Sequence, residues 1–234
     1  MNPFVAAEFF DLDGFAHSAL FVPDRPVWEA LGEPLDALFA EFPGWQKSPV
    51  LPAGVHHLGG PLAIAEGCTI EPGAVLRGPL IIGPGSAIRT GAYVRGGVVL
   101  GCRCIVGAHT EVKHAVFLDG ARAPHQNYVG DSILGRDVNL GAGTILSNVK
   151  NVGSEVSFQH HGESVRTGLR KLGAILGDGC RTGCNTVLNP GVLMGRGCVT
   201  YPNVALRSGL YPAGTLVKLR QEQRQIILSR LASD

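Results

Sequence analysis

Ten aliphatic residues follow one another at intervals of six: Ile64, Ile70, Leu76, Ile82, Ile88, Val94, Leu100, Val106, Val112 and Leu118. A period of six fits neither an α-helix, which turns every 3.6 residues, nor a plain alternating strand. It fits a short strand plus a turn, repeated as the sides of a coil. The series resumes after a slip at Tyr128, Leu134, Leu140 and Leu146, pauses, and returns at Leu176, Leu188, Met194 and Leu206, with Thr182 and Thr200 in the intervening slots. Four residues after each aliphatic the side chain is mostly small, as at Ala74, Ser86, Ala92, Thr110, Ser132, Thr144 and Thr186, which is what the interior of a narrow prism demands.

Composition separates this coil from what precedes it. Of the 33 glycines only Gly14, Gly32 and Gly44 lie in the first 45 residues, where seven of the nine Phe and both Trp are found. Glycine without a G-X-Y period excludes collagen, and 45% hydrophobic residues exclude a disordered chain. The repeat resembles that of the hexapeptide-repeat proteins, and the resemblance implies an all-β fold, a left-handed parallel β-helix of six or seven coils. The expected organisation is an aromatic-rich N-terminal cap with a helix over 1–50, covering the first coil, and a β-helix over 51–214 with a long loop at 147–174. A closing helix is expected over 215–234. Within the cap, the run from Val27 to Phe42 has Trp28, Leu31, Leu35, Leu38 and Phe39 at helical spacing, interrupted by Gly32 and Pro34.

Twenty Lys+Arg against nineteen Asp+Glu give a net charge of +1, and no basic run tracks a phosphate backbone, so nucleic acid is not the expected partner. No apolar stretch reaches the roughly 18 residues of a membrane span, and the acidic N-terminus is unlike a secretory leader. A cytoplasmic protein without a membrane partner is expected. Cys68, Cys104, Cys180 and Cys198 fall in the small-residue slot and read as core fillers, while Cys102 and Cys184 lie at turns. His109 and His114 are similar in spacing to the zinc pair of γ-class carbonic anhydrases, but Gly73 stands where that family places its third ligand.

Arg77, Arg95 and Lys113 are eighteen residues apart and stack on one edge if each coil takes eighteen. Strands about 4.8 Å apart would hold these cations close enough to repel by on the order of 1–3 kcal/mol in a wet setting. The ladder is either a solvated edge with splayed side chains or a phosphate site, since Arg and Lys together neutralise and fork onto phosphate oxygens.

The segment from Glu111 to Asn148 carries H-x-x-Y-x-G-D, then N-x-G-A-G-T, then Asn. It closely resembles the acetyltransferase domain of the bifunctional bacterial glucosamine-1-phosphate acetyltransferase and N-acetylglucosamine-1-phosphate uridyltransferase. It looks still closer to the C-terminal domains of archaeal sugar-1-phosphate nucleotidylyltransferases. The resemblance implies an acyltransferase of nucleotide-sugar and cell-envelope precursor synthesis, with a sugar 1-phosphate and acetyl-CoA as partners and no metal required. It implies a homotrimer with sites between subunits. Carried over position by position, His125 is the general base and Glu111 its orienting carboxylate. Arg95 and Lys113 hold the sugar phosphate, and Tyr128 and Asn139 contact the sugar. Asn148 sits near the amine and the thioester, and Ala142 and Cys184 match backbone contacts to acetyl-CoA.

The chemistry suits these residue types. An amino sugar is an ammonium at neutral pH and attacks a thioester only after losing a proton. An imidazole, which titrates near 6.5, is fitted to take that proton, and a carboxylate on its other nitrogen fixes the tautomer. Nearby N–H donors would stabilise the tetrahedral oxyanion. The match also departs from the family. Residues 1–60 lack the Gly-rich signature of the nucleotidylyltransferase domain, so no nucleotidyl transfer is expected. The aromatic after the key Asn is Val149, and the lysines on the coenzyme side align with Ser154 and Ser157. Lys150, Arg166, Arg170 and Lys171 remain as candidates for the coenzyme phosphates, and His160 and His161 in the same loop read as solvent-facing or interfacial. Two alternatives stay open: a non-catalytic sugar-phosphate-binding or assembly module partnering a separate nucleotidylyltransferase, and a γ-carbonic anhydrase-like metalloenzyme.

Overall fold

The computed structural model describes residues 2–43, 45, 50–220 and 222. From His56 to Val217 the chain is a parallel β-solenoid whose short strands stack into three faces. The first face runs in register through His56, Val75, Tyr93, Glu111, Tyr128, Ile145, Val187 and Ala205. The second runs from Leu62–Ile64 to Gly209–Tyr211. The third runs from Thr69–Ile70 to Leu216–Val217, with single-residue bridges at Asn139 and Arg181 in its middle. Eight rungs line the first face, beyond the six or seven coils expected, because the coil starts before the first aliphatic of the series, at His56–His57.

The interior is the predicted one with one correction. Ile70, Leu76, Ile82, Ile88, Val94, Leu100, Val106 and Val112 point inward with the small residues Ala74, Ser86, Ala92 and Thr110 beside them. At the slip, however, the inward positions are Phe117, Ala123 and Val129, while Leu118 packs outside the prism and Tyr128 faces out of the first face. The cause is a pair of short coils: the left-handed corner residues run Arg103, Gly120, Asp137 and His109, Gln126, Gln126 being followed by Gly143, each step one residue short of eighteen. The polar fillers are satisfied, with Thr182 Oγ1 2.8 Å from Thr144 Oγ1 and Thr200 Oγ1 3.0 Å from Thr186 Oγ1. Cys104, Cys180 and Cys198 are fully buried, and Cys68 packs partly buried against the same core.

The N-terminal segment lies along the side of the solenoid, not over its first coil. The second face carries apolar side chains outward as well as inward, and Ile81, Val99, Val116, Ile133, Ile175 and Leu193 form a second core with Phe4, Phe9, Phe10, Phe15, Trp28 and Leu35. Burying such a strip removes a large apolar area from water, at roughly 25 cal/mol per Å². Polar latches fix the alignment: Asp178 N–H donates to the Phe9 carbonyl at 3.0 Å, Asp11 N–H to Asp178 Oδ2 at 2.6 Å, and Arg196 to the Ala7 carbonyl at 3.0 Å. The helical run of the segment is split at Gly32 into a 3₁₀ turn, Val27–Leu31, and a helix, Glu33–Glu41, whose first turn takes Pro34 where no backbone donor is lost.

The long loop after Asn148 contains an antiparallel hairpin, Ser157–His160 with Glu163–Arg166. Phe158 seats it against Phe4 and Trp28, with ring centroids 5.5 and 5.9 Å apart. At the C-terminal end Leu216–Val217, expected to open a helix, is a strand paired with Val199–Thr200; the rest of that expected helix lies almost wholly outside the described residues. Among the described residues no helix is long and apolar enough to cross a membrane.

Candidate active site

The first face of the solenoid gathers most of the residues singled out above. Its two edges are the corners where the chain turns through left-handed backbone. At one corner Gln126 takes φ +50°, with His125 just before it. His125 N–H donates to Asn127 Oδ1 at 3.1 Å, and the buried Asn127 in turn donates to the Gly141 carbonyl at 2.8 Å, which ties the corner to the next coil. Ladder hydrogen bonds from Gly143 N–H to the His125 carbonyl and from Asn185 N–H to the Ala142 carbonyl place His125, Ala142 and Cys184 in one column. His125 and Cys184 are exposed there, and among the described residues the His125 ring has no hydrogen-bonding partner.

The opposite edge holds the cation ladder. Arg77 N–H donates to the Val94 carbonyl and Arg95 N–H to the Val112 carbonyl, so Arg77, Arg95 and Lys113 stack as the spacing predicted. Coulomb repulsion between two rungs is offset by carboxylates. Arg95 Nη1 donates to Glu111 Oε1 at 2.7 Å, and that bond pushes the Arg95 guanidinium pKa up. Lys113 Nζ donates to Asp131 Oδ2 at 3.3 Å. Glu111 therefore engages Arg95, not His125 as the family pattern implied: it sits mid-face, in register with Tyr93 and Tyr128, one side chain from the ladder.

Asp131 is the residue that sequence reasoning passed over. It closes the H-x-x-Y-x-G-D motif, takes a left-handed φ of +47° and is 5% exposed. Besides Lys113, it accepts from Asn148 Nδ2, and His114 Nδ1 lies 3.0 Å from its Oδ1 in a close contact without hydrogen-bond alignment. Burial works to raise its pKa, but the His114 and Asn148 contacts and the Lys113 charge together outweigh that and hold it below the ordinary aspartate range. Asn148 Oδ1 faces the other way and receives the Tyr128 hydroxyl at 3.5 Å. Burial moves the Tyr128 phenol pKa up, so it stays a neutral donor. In the sequence Asp131 is marked only as the last letter of that motif; in the fold it shares its corner with His114 and Gly97, which also take left-handed φ.

Two groups stand apart. Asn139 bridges Arg122 and Arg181 on the third face, away from Tyr128 and Asn148. His109 and His114 occupy different corners, at φ +53° and +46°, and among the described residues no three metal-ligating side chains converge. The candidates for coenzyme phosphates are engaged within the loop after Asn148: Lys150 donates to Ser157, Arg166 pairs with Glu155 at 2.5 Å, and Arg170 reaches the Gly153 carbonyl at 3.3 Å, while Lys171 is exposed with no such contact among the described residues. His160 packs on Phe4 with centroids 5.1 Å apart, and His161 is exposed.

Known proteins share this region. Residues 76–165 match the family model described as the GMPPB C-terminal domain. A bifunctional sugar-1-phosphate nucleotidylyltransferase/acetyltransferase of Sulfurisphaera tokodaii is 41% identical over 101 residues, 43% of this chain and 25% of the relative. A bifunctional protein GlmU of Methanococcus maripaludis is 38% identical over 172 residues, 72% of this chain and 42% of the relative. Among solved structures, the acetyltransferase domain of PglB from Neisseria gonorrhoeae aligns with a TM-score of 0.26 at 19% identity, over 68% of this chain and 54% of that one. The chain spans less than half the length of either curated relative. Its solenoid is similar to the acetyltransferase-type C-terminal region of GlmU-like and archaeal sugar-1-phosphate nucleotidylyltransferase proteins, and the family match covers the coils that carry Arg95, Glu111, Lys113, His125, Asp131 and Asn148.

Proposed function

We propose that the chain is an acetyl-CoA-dependent N-acetyltransferase acting on an amino-sugar 1-phosphate of the glucosamine 1-phosphate type. The observation that carries this reading is one solenoid face with stacked Arg95 and Lys113 on one edge, an accessible imidazole at the opposite corner, and Tyr128 and Asn148 beside the ladder. A face of about three extended residues is roughly 10 Å wide, room for a hexose between two edges. Arg95 and Lys113 receive the phosphate. His125 takes the proton from the amine as its nitrogen attacks the thioester carbonyl; the C–N bond forms, the C–S bond breaks, and the proton passes to the departing thiolate. Holding the reactants in line supplies much of the acceleration.

The Arg95–Glu111 pair gives the reaction an order. A phosphate dianion on Arg95 competes for the guanidinium that Glu111 now occupies, and the released carboxylate becomes free to orient the His125 ring. Acetyl-CoA is the proposed co-substrate along the Ala142 and Cys184 column. The position of Asn139 on another face fits a site completed by a neighbouring copy, and we read the working form as a trimer, checked by analytical ultracentrifugation. The test of the activity is thiol release from acetyl-CoA with glucosamine 1-phosphate as acceptor. Turnover that falls at least about 100-fold in His125→Ala supports the reading; no turnover by the native protein sinks it.

One observation favours a second reading. With Glu111 on Arg95, and Lys150, Arg166 and Arg170 engaged within the loop after Asn148, the face suits a non-catalytic module that binds a sugar phosphate and partners a nucleotidylyltransferase. Glucosamine 1-phosphate binding without acetyl-CoA binding, measured by calorimetry, identifies that case.

A further inference from the structure

We infer that the third face holds the nucleotide end of the coenzyme, with Arg122 and Arg181 on its diphosphate and Tyr201 against its adenine. The inference rests on the N-acetyltransferase reading above. What carries it is charge left without a counter-charge. Arg122, Asn139 and Arg181 are bridged rung to rung on the third face, and both arginines are exposed. They flank an uncharged residue at two strand spacings, about 10 Å from backbone to backbone. Arg95 and Arg166 each have a carboxylate partner, whereas among the described residues Arg122 and Arg181 pair with none. Two long side chains at that separation can converge on a diphosphate, and the fork of each guanidinium fits its oxygens.

The neighbouring residues suit the rest of the molecule. Val199 is the next partner of Arg181, and two residues beyond it Tyr201 stands 48% exposed, a ring on which a purine can stack. Lys218 Nζ lies 5.0 Å from the centroid of that ring and adds a third cation. Between the arginine column and the His125 corner the strands carry Gly141 and Gly183, where a Cβ would run into the backbone of the next coil, so the path across the face is clear of side chains. The reach also agrees. Arg181 lies two coils along and three residues across from His125, on the order of 14 Å, a span that an extended pantetheine arm covers. The loop after Asn148 offers less, since Lys150, Arg166 and Arg170 already have partners there.

Calorimetry with coenzyme A tests this on the native protein, Arg122→Gln, Arg181→Gln and Tyr201→Ala. All three positions are exposed, so the melting temperature should not move. Each arginine variant should bind coenzyme A about tenfold more weakly, the worth of a charge-assisted hydrogen bond, and Tyr201→Ala at least about fivefold. In thiol release the KM for acetyl-CoA should rise by more than kcat falls. The preference for acetyl-CoA over S-acetylpantetheine, which lacks the diphosphate and the adenine, should drop in step. Variants that bind coenzyme A as the native protein does, or that lose S-acetylpantetheine as steeply as acetyl-CoA, overturn the inference alone. Binding that the variants weaken, without acetyl transfer by the native protein, upholds the site and overturns the functional reading. A native protein that binds no coenzyme A overturns both.

Discussion

Arg95 and Glu111 lie in neighbouring coils and meet at 2.7 Å, a cation of the ladder held by the carboxylate that the family pattern assigns to the base. Both side chains are partly open to water, at 44% and 37% exposure, so the pair itself adds at most about 1 kcal/mol to stability. Its consequence is kinetic. Glu111→Gln removes the partner that holds Arg95 and, with it, the group proposed to orient His125 once Arg95 is released. The expected outcome is phosphate-ligand affinity improved by about threefold, the worth of a surface ion pair, with kcat lowered at least about tenfold and no change in melting temperature. Steady-state kinetics and calorimetry read the split. A fall in affinity with kcat intact would show that Glu111 serves only to hold Arg95 in place.

The aromatic N-terminal segment is an integral wall of the second face. Trp28 is 3% exposed and packs on both Phe4 and Phe158, at 5.6 and 5.9 Å. Trp28→Ala should cost about 3–5 kcal/mol in urea unfolding, as large-to-small changes in a packed core do. It should also raise amide exchange in the hairpin 157–166, which Phe158 anchors. Unaltered exchange in that hairpin would mean that its order comes from elsewhere.

Acid should act on the Asp131 corner in one direction. The folded-state pKa of this carboxylate lies below the ordinary value near 3.8, so its stabilising contribution is fully present above about pH 4 and is lost as the pH falls through the folded value. Unfolding curves of native protein and Asp131→Gly should therefore differ by a constant amount above pH 4 and shift in favour of the variant below it. A gap independent of pH down to pH 2 would contradict the charged contacts to Lys113 and Asn148.

Thiol chemistry separates the six cysteines. Burial pushes the Cys104 thiol up to about 12, and Cys180 and Cys198 are enclosed, while Cys184 stands exposed beside Ala142 in the His125 column. Alkylation followed by mass spectrometry should label Cys184 first and leave the buried thiols unmodified. Acetyl-CoA at saturating concentration should slow that labelling severalfold; unslowed labelling places the coenzyme elsewhere.

The solenoid was legible because a six-residue period with small fillers has few solutions. Its corners were less so: a coil short by one residue moves Leu118 out and Phe117 in, and the spacing alone does not say which side of the slip is buried. The second face was written in apolar triplets such as Leu80–Ile82 and Val98–Leu100, whose middle residues cannot enter the prism and had to be covered. Reading only every sixth residue hid them, and with them the lateral seat of the N-terminal segment. At the site, eighteen-residue spacing placed Arg95 and Lys113 correctly, since stacking follows from register. The partner of Glu111 was not legible, because a carboxylate mid-face can turn to either edge. Asp131 was visible only as a motif letter, because the spacing does not show its burial or its contacts to Lys113, His114 and Asn148.

Acetyl transfer to an amino-sugar 1-phosphate is the reaction proposed for the face between the cation ladder and the His125 corner. Thiol release from acetyl-CoA, measured with glucosamine 1-phosphate for the native protein and for His125→Ala, tests it most directly. The native protein should show acceptor-dependent release, and the variant a loss of at least about 100-fold. Acceptor-dependent release that His125→Ala leaves intact, or none from the native protein, would contradict it.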